Sequence, residues 1–297
     1  MHKSVLSDET IKSLNIKENG VYIDCTLGHG GHSLEILKKL NNTGHLYSID
    51  QDAEAIKVAK EKLKNFKNIT IIKGNFVDLD KYISQYEIKN IDGILFDIGV
   101  NSSQFDTAER GFSYRFDSRL DMRMNQENEL DAYKVINEYS SDMLTEIFRK
   151  YGEVKNSKQL SNEIVKSRSE KPIKNTFELN KVIDSVNPAW SKKNPYKQVY
   201  QALRIEVNNE LDVIEKAIQK ALDNISVDGR VAVITFHSLE DKIVKGVFSR
   251  NKQEFIETPM ELKYKFRTFK SVYPTKKEVE ENLRSRSSKL RIIRKNY

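Results

Sequence analysis

From Val21 to Asp97 the chain alternates short apolar runs with stretches whose apolar residues recur at helical spacing. The runs at 21–25, 45–49, 69–73 and 91–96 have strand length. Between the second and third, Ile56, Ala59 and Leu63 share one helical face behind Asp52, a residue suited to cap a helix start. The series reads β-α-β and predicts a parallel sheet covered by helices. Much later, Leu211, Ile214, Ala217, Ile218, Ala221, Leu222 and Ile225 line one face of another helix. Asp228-Gly229 then turns the chain into a further strand, Arg230 to Phe236.

The separation of these two halves predicts an insertion. A crossover from the strand ending at Asp97 to the one starting at Arg230 needs only the helix at 208–225. Roughly a hundred residues are surplus, far beyond the ~12–15 that a compact domain leaves structureless. They read as helical: Ala132, Val135 and Ile136; Met143, Leu144, Ile147 and Phe148; Leu160, Ile164 and Val165; then Phe177, Leu179, Val182 and Ile183. The organisation expected is an α/β domain in two parts, residues 1–105 and 206–297, around an inserted helical subdomain at 106–205 for substrate recognition. Near the end, Lys263–Val272 and Lys289–Arg294 read as strands flanking a helical stretch around 276–282. An antiparallel pair closing a sheet edge suits them, and their Lys and Arg residues would discourage that edge from pairing with other chains.

Composition narrows the classes. The chain has 297 residues, 38% of them hydrophobic and 31% charged, and no apolar run approaches the ~20 residues that span a bilayer. Residues 1–9 lack a signal-peptide pattern, so no membrane partner and a cytoplasmic location are expected. Cys25, the only cysteine, excludes an internal disulfide and a multi-thiolate zinc site; no metal is expected. The net charge of +7 is concentrated, with twelve Lys/Arg against three Asp/Glu between Lys263 and Tyr297. Such an end suits a polyanion, although basic tails also serve only solubility.

Candidate chemistry sits at the strand ends. The first strand runs into Asp24-Cys25-Thr26-Leu27-Gly28-His29-Gly30-Gly31-His32-Ser33 and then a helix. Glycines there permit a tight turn and a close approach of backbone N–H groups to a ligand. Asp50, at the end of the second strand, is placed to accept hydrogen bonds from a ribose diol. These features indicate a nucleoside cofactor, NAD or S-adenosylmethionine. Ser33 replaces the third glycine of the dinucleotide fingerprint, and Asp97 ends the fourth strand at the switch point; both favour the second.

At this point the residues resemble a specific family. The block 2–9 (HKSVLSDE), the glycine loop, 92–100 (DGILFDIGV), 109–113 (ERGFS), 120–124 (LDMRM), 201–208 (QALRIEVN), 236–241 (FHSLED) and 284–291 (RSRSSKLR) are similar to the bacterial rRNA small-subunit methyltransferase H family, in the family's order. The resemblance implies a class I (Rossmann-like) methyltransferase sheet with an inserted helical subdomain. It also implies S-adenosylmethionine as cofactor and the 4-amino group of a cytidine in the 16S rRNA decoding centre as acceptor. Carried over by position, the cofactor contacts are Gly30, Gly31, His32, Asp50, Phe76, Asp97 and Gln104. The catalytic candidates are Asp97, Asn101 and Ser102, from a loop whose side chains or carbonyls could accept a hydrogen bond from the poorly nucleophilic amine. The chain departs from the family's pattern at Asn194-Pro195-Tyr196-Lys197-Gln198 and at Asn101 and Ser103. A member with another RNA target therefore stays open as an alternative, as does a non-catalytic ribosome-assembly factor.

Between Ser102 and Asn125, Arg110, Arg115, Arg119 and Arg123 mix with Phe112, Tyr114 and Phe116. Arginines hold phosphates and aromatic rings stack on unpaired bases, so this segment is a candidate RNA surface; the bland reading tucks the aromatics into a core. Arg284 and Arg286, with Lys289 and Arg291, form a second candidate. His237 could serve as a general base or as a hydrogen-bonded structural group, and Asp241 could pair with Lys242 or cap a helix. The partner expected is 16S rRNA or the small ribosomal subunit, not DNA, with monomer and homodimer both open.

Overall fold

The computed structural model describes residues 4–99, 107–187, 194–253, 255–257 and 262–297. The chain forms two compact units: Met1–Gly99 with Leu211–Tyr297, and Val100–Glu210.

The first unit is built on a seven-stranded sheet of order β3-β2-β1-β4-β5-β9-β8. Strands β1 (Val21–Asp24), β2 (His45–Asp50), β3 (Ile69–Lys73), β4 (Ile91–Asp97) and β5 (Arg230–Thr235) run parallel. A short two-stranded ribbon, β6 (Phe255–Glu257) with β7 (Leu262–Tyr264), stands apart from it. Strands β8 (Phe266–Thr268) and β9 (Lys289–Lys295) then finish the large sheet, with β9 antiparallel to both β5 and β8.

Side-chain alternation explains the uninterrupted apolar runs. In β4, Ile94 and Phe96 enter the core on one face while Leu95 enters the core on the other. Val231 and Val233 of β5 divide from Ala232 and Ile234 in the same way. The helix Glu210–Asn224 covers the first face with Ile214, Ile218 and Leu222; Ile36 and Leu63, from two further helices, cover the second. Asp52 caps the helix Ala53–Leu63, accepting the N–H of Glu54 at 3.0 Å.

The expected strand Lys263–Val272 is two strands in different sheets. The break falls at Lys265, whose carbonyl accepts the N–H of Asn296 at 2.7 Å while β8 pairs with β9 and β7 pairs with β6. Three-residue strands, with Lys263 in β7 and Arg267 in β8, are poor templates for pairing with another chain.

In the second unit the helices Ala132–Glu138, Ser141–Gly152, Ser157–Glu170, Thr176–Val186 and Pro195–Asn208 enclose a core that includes Val135, Leu144, Phe148, Leu160, Leu179 and Leu203. Asp131, Ser140, Asn175 and Asn194 cap four of them by accepting an N–H from three residues on. The helix expected over 208–225 starts later. Asn209 adopts the left-handed conformation (φ 48°), ends the helix Pro195–Asn208, and lets a separate one begin at Glu210. Among the described residues no helix is long and apolar enough to cross a membrane.

Candidate cofactor and catalytic site

Parallel strands bring their carboxyl ends to one edge, and β1, β2 and β4 each end there in an aspartate: Asp24, Asp50 and Asp97. The loop leaving β1 shapes this edge. Gly30 caps the helix Gly31–Leu37 at φ +70°, where a side chain would be strained. A Cβ on Gly31 would fall 1.9 Å from Oγ of Ser4, so the N-terminal segment passes directly against the loop. The N–H of Gly28 donates to Oδ2 of Asp50 at 2.7 Å, and the N–H of Asp52 donates to Oδ1 at 2.9 Å. Burial nevertheless outweighs these bonds and pushes Asp50 up to about 6.

Asp24 is fully buried, and burial raises its pKa, against the hydrogen bond from Ser33 and the neighbouring His32. The Ser33 hydroxyl donates to Asp24 at 2.7 Å and lies 3.0 Å from the Ser48 hydroxyl. Thr26 joins two strand ends: its hydroxyl donates to Asp24 at 3.3 Å and accepts the N–H of Asp97 at 2.7 Å. These polar residues behind the loop were missed by sequence reasoning. The signal was available, since a carboxylate ending an apolar strand must find donors.

His32 is buried, with Nε2 3.4 Å from Oδ2 of Asp97. Burial opposes a charge on the ring, yet Asp97, followed by Asp24 and Glu35, raises its pKa on balance. Oδ1 of Asp97 and both ring nitrogens of His32 are buried without a hydrogen-bond partner among the described residues, the His32–Asp97 approach being a charge contact. Phe76 opens a short 3-10 turn after β3, where Asn75 caps it, and meets Phe96 edge-on at 5.7 Å. The first unit thus brings together Gly30, Gly31, His32, Asp50, Phe76 and Asp97 at or beside one sheet edge. Asn101, Ser102 and Gln104 lie outside the described residues.

His237 has a structural position. It caps the helix Ser238–Lys252 in a reciprocal capping box with Glu240, whose carboxylate approaches Nε2 at 2.7 Å. Asp241 pairs neither with Lys242 nor with a helix start. It accepts from Lys289 at 2.7 Å and from Arg291 at 2.6 and 3.0 Å. Burial works to raise Asp241, but these cations hold it below the usual carboxylate range.

The four arginines of the second unit's loop have different fates. Arg110 is 3% exposed, and its guanidinium donates to the carbonyls of Arg123 and Met124 at 2.9 and 3.1 Å, an internal brace rather than an RNA contact. Arg123 grips Asp121 with two nitrogens and the carbonyls of Gln126 and Asn128 with a third. Arg119 is exposed but paired with Asp131 at 2.6 Å. Arg115 is exposed beside the Tyr114 ring, and Phe116 is exposed too, whereas Phe112 and Tyr114 pack in the core. In the other unit, Arg286 is exposed and Arg284 half-buried on the turn Leu283–Ser287.

The unusual residues at 194–198 have internal partners. Asn194 caps its helix; Tyr196 stacks on Tyr114 at 5.5 Å and bonds Asp184; Gln198 donates to the carbonyls of Gly152 and Glu153. Their substitution pattern therefore has a packing explanation inside the helical unit.

A model described as the MraW methylase family matches residues 1–296. A ribosomal RNA small subunit methyltransferase H from Clostridium botulinum (strain Loch Maree) is 48% identical, over 99% of this chain and 98% of that protein. One of the same name from Lachnospira eligens is 47% identical, over 98% and 96%. A solved structure from Clostridium thermocellum, described as an rRNA methylase, covers 99% of both chains with a TM-score of 0.50 at 13% identity, a likeness of fold.

Proposed function

The chain belongs to the MraW methylase family, and from that premise we propose that it transfers a methyl group from S-adenosylmethionine to small-subunit rRNA, at the 4-amino group of a decoding-centre cytidine. The observation that carries the reading is the row of Asp24, Asp50 and Asp97 on one sheet edge, with Oδ1 of Asp97 buried and unmatched among the described residues. A buried acceptor without a donor is costly in a finished structure and is the natural place for a ligand to supply one. The glycine loop and half-buried Asp50 fit the same adenosyl ligand: one leaves backbone close to it, the other offers lone pairs to its ribose hydroxyls.

When bound, S-adenosylmethionine supplies an electrophilic methyl on a cationic sulfur. The protein's own contribution is alignment and exclusion of water. Asp50 would hold the ribose, Phe76 would serve the adenine, and Gly30, Gly31 and His32 would line the approach. Thr26 fixes the backbone of Asp97, and His32 stands 3.4 Å from Oδ2, leaving Oδ1 unmatched among the described residues. Asp97 would position the reacting end and accept from the amine, localising its lone pair; the same part is proposed for Asn101, Ser102 and Gln104 from the family pattern alone. RNA contact in the helical unit falls to Arg115 and Phe116, with Arg119 beside them, and in the other unit to Arg286. The reading carries with it a cytoplasmic setting.

Two measurements test it. Calorimetry with S-adenosylhomocysteine should give a one-to-one complex. Mass spectrometry of small-subunit rRNA from cells lacking the gene should show loss of one methylcytidine. Binding without that loss would point to another RNA, and absence of binding would leave a non-catalytic scaffold.

A further inference from the structure

Beside the cofactor edge, a cleft of about 460 Å³ opens where β5 ends and β9 begins, and its charge is lopsided. Lys242, Lys245 and Lys289 line it with a single carboxylate, Asp241, which Lys289 and Arg291 already neutralise. Lys242 and Lys245 are exposed, stand three residues apart on one helix face, and pair with no carboxylate among the described residues. The helix start itself is closed by the His237–Glu240 capping box, so the ammonium groups, not backbone N–H groups, give the cleft its pull on anions.

Two neighbours add chemistry. The ammonium of Lys289 lies 5.4 Å over the ring of Tyr273, which is 60% exposed. The backbone next to that ring is pinned, since Val272 and Leu290 exchange both backbone hydrogen bonds at 2.9 Å. On the other side Phe236 lines the cleft and packs against Gly99, where a Cβ would come within 2.9 Å of its ring. Since Ile234 pairs with Asp97 across the sheet, the cleft sits next to the end of β4.

Resting on the reading that the substrate is RNA, we infer that this cleft is a subsite for single-stranded RNA. Lys242 and Lys245 take backbone phosphate near the acceptor nucleotide, and the exposed face of Tyr273 stacks on an adjoining base. Closely spaced cations beside a solvent-facing aromatic ring match the way unpaired strands are held without reading sequence. Lys289 bridges both parts, since it lines the cleft and caps the ring.

The test compares the wild type with Lys242→Gln/Lys245→Gln, Tyr273→Ala, and a charge-matched control, Lys57→Gln/Lys60→Gln, on the exposed face of the helix Ala53–Leu63. The substrate is small-subunit particles from cells lacking the gene, and the binding probe is fluorescent oligouridylate. The cleft pair should raise KM for particles about tenfold with kcat within about twofold. It should also make the salt dependence of oligonucleotide binding shallower by ~0.7 for each phosphate released. Tyr273→Ala should weaken oligonucleotide binding about tenfold while Tyr273→Phe retains it. S-adenosylhomocysteine binding should be unchanged in all of them, and Lys242→Arg/Lys245→Arg should restore KM. A wild type that methylates particles alongside cleft variants with unaltered KM and salt slope overturns the subsite and leaves the enzymatic reading standing. A wild type that binds S-adenosylhomocysteine but neither binds nor methylates RNA overturns both.

Discussion

The hydroxyl of Ser33 donates to the buried carboxylate of Asp24 at 2.7 Å, fastening the first turn of the glycine-loop helix to the end of β1. Ser33 stands where a dinucleotide-binding loop would place its third glycine. It exchanges close backbone packing for a donor to a carboxylate that burial would otherwise leave short of partners.

Replacing Ser33 by Ala should therefore cost about 1–3 kcal/mol of stability, the usual loss when a buried charged acceptor forfeits a donor. Urea unfolding of the ligand-free protein measures it. A midpoint equal to the wild type would show that Ser48 or water takes over the bond.

Asp97 should show the opposite profile. Asp97→Ala removes Oδ1, which has no hydrogen-bond partner among the described residues, and Oδ2, which stands 3.4 Å from Nε2 of buried His32, so the fold should lose no more than about 0.5–1.5 kcal/mol. Turnover should fall at least about a hundredfold, the scale of losing one well-placed polar group at a reacting centre. Single-turnover methylation with radiolabelled cofactor separates this from a binding defect; near-normal rates would remove Asp97 from the mechanism.

Asp50 predicts a pH dependence. Its folded pKa is raised to about 6 by burial, and ribose hydroxyls donate to the ionised form. Affinity for S-adenosylhomocysteine should be flat above pH 7 and weaken by up to about tenfold per unit below 6, by proton linkage. In the ligand-free protein the sign reverses. A carboxyl with a raised folded pKa disfavours folding above that pKa, and this contribution is relieved as pH falls from about 6 toward its unfolded value. Calorimetry across pH, with Asp50→Asn expected to bind weakly and without the pH slope, checks both halves.

The loop arginines should separate by role. Arg110→Ala should destabilise the helical unit by about 2–3 kcal/mol, because a buried cation and its two carbonyl partners lose one another. Arg115→Ala should leave the unfolding midpoint unchanged and reduce the salt dependence of RNA binding by ~0.7 in slope. Thermal unfolding beside a salt titration of RNA affinity gives both numbers; equal behaviour of the two variants would contradict the assignment.

These contrasts also mark what the sequence made legible. The central strands were readable because a strand buried on both faces shows an unbroken apolar run, as in β4 and β5. The helix Ser7–Leu14 was not read, being only eight residues long. At the site, Asp50 and the glycines were placed by their spacing from strand ends, which is a local property. The destiny of a charged side chain is not local. Arg110 reaches carbonyls thirteen and fourteen residues away, and Asp241 finds Arg291 fifty residues on, so neither partner could be inferred from neighbours. The same applies to His237, whose capping role depends on where β5 stops.

The insertion of β9 between β5 and β8 governs the order in which the molecule can be finished. During synthesis the helical unit has all of its own helices once Asn208 has emerged, and it can close on itself. The sheet must wait for Lys289–Lys295, nearly two hundred residues after β4. At translation rates of about 5–20 residues per second, that is an interval of roughly ten to forty seconds. Once made, β5 offers an unpaired flank until β9 arrives, and through the whole interval the edge that carries the three aspartates belongs to a half-built sheet.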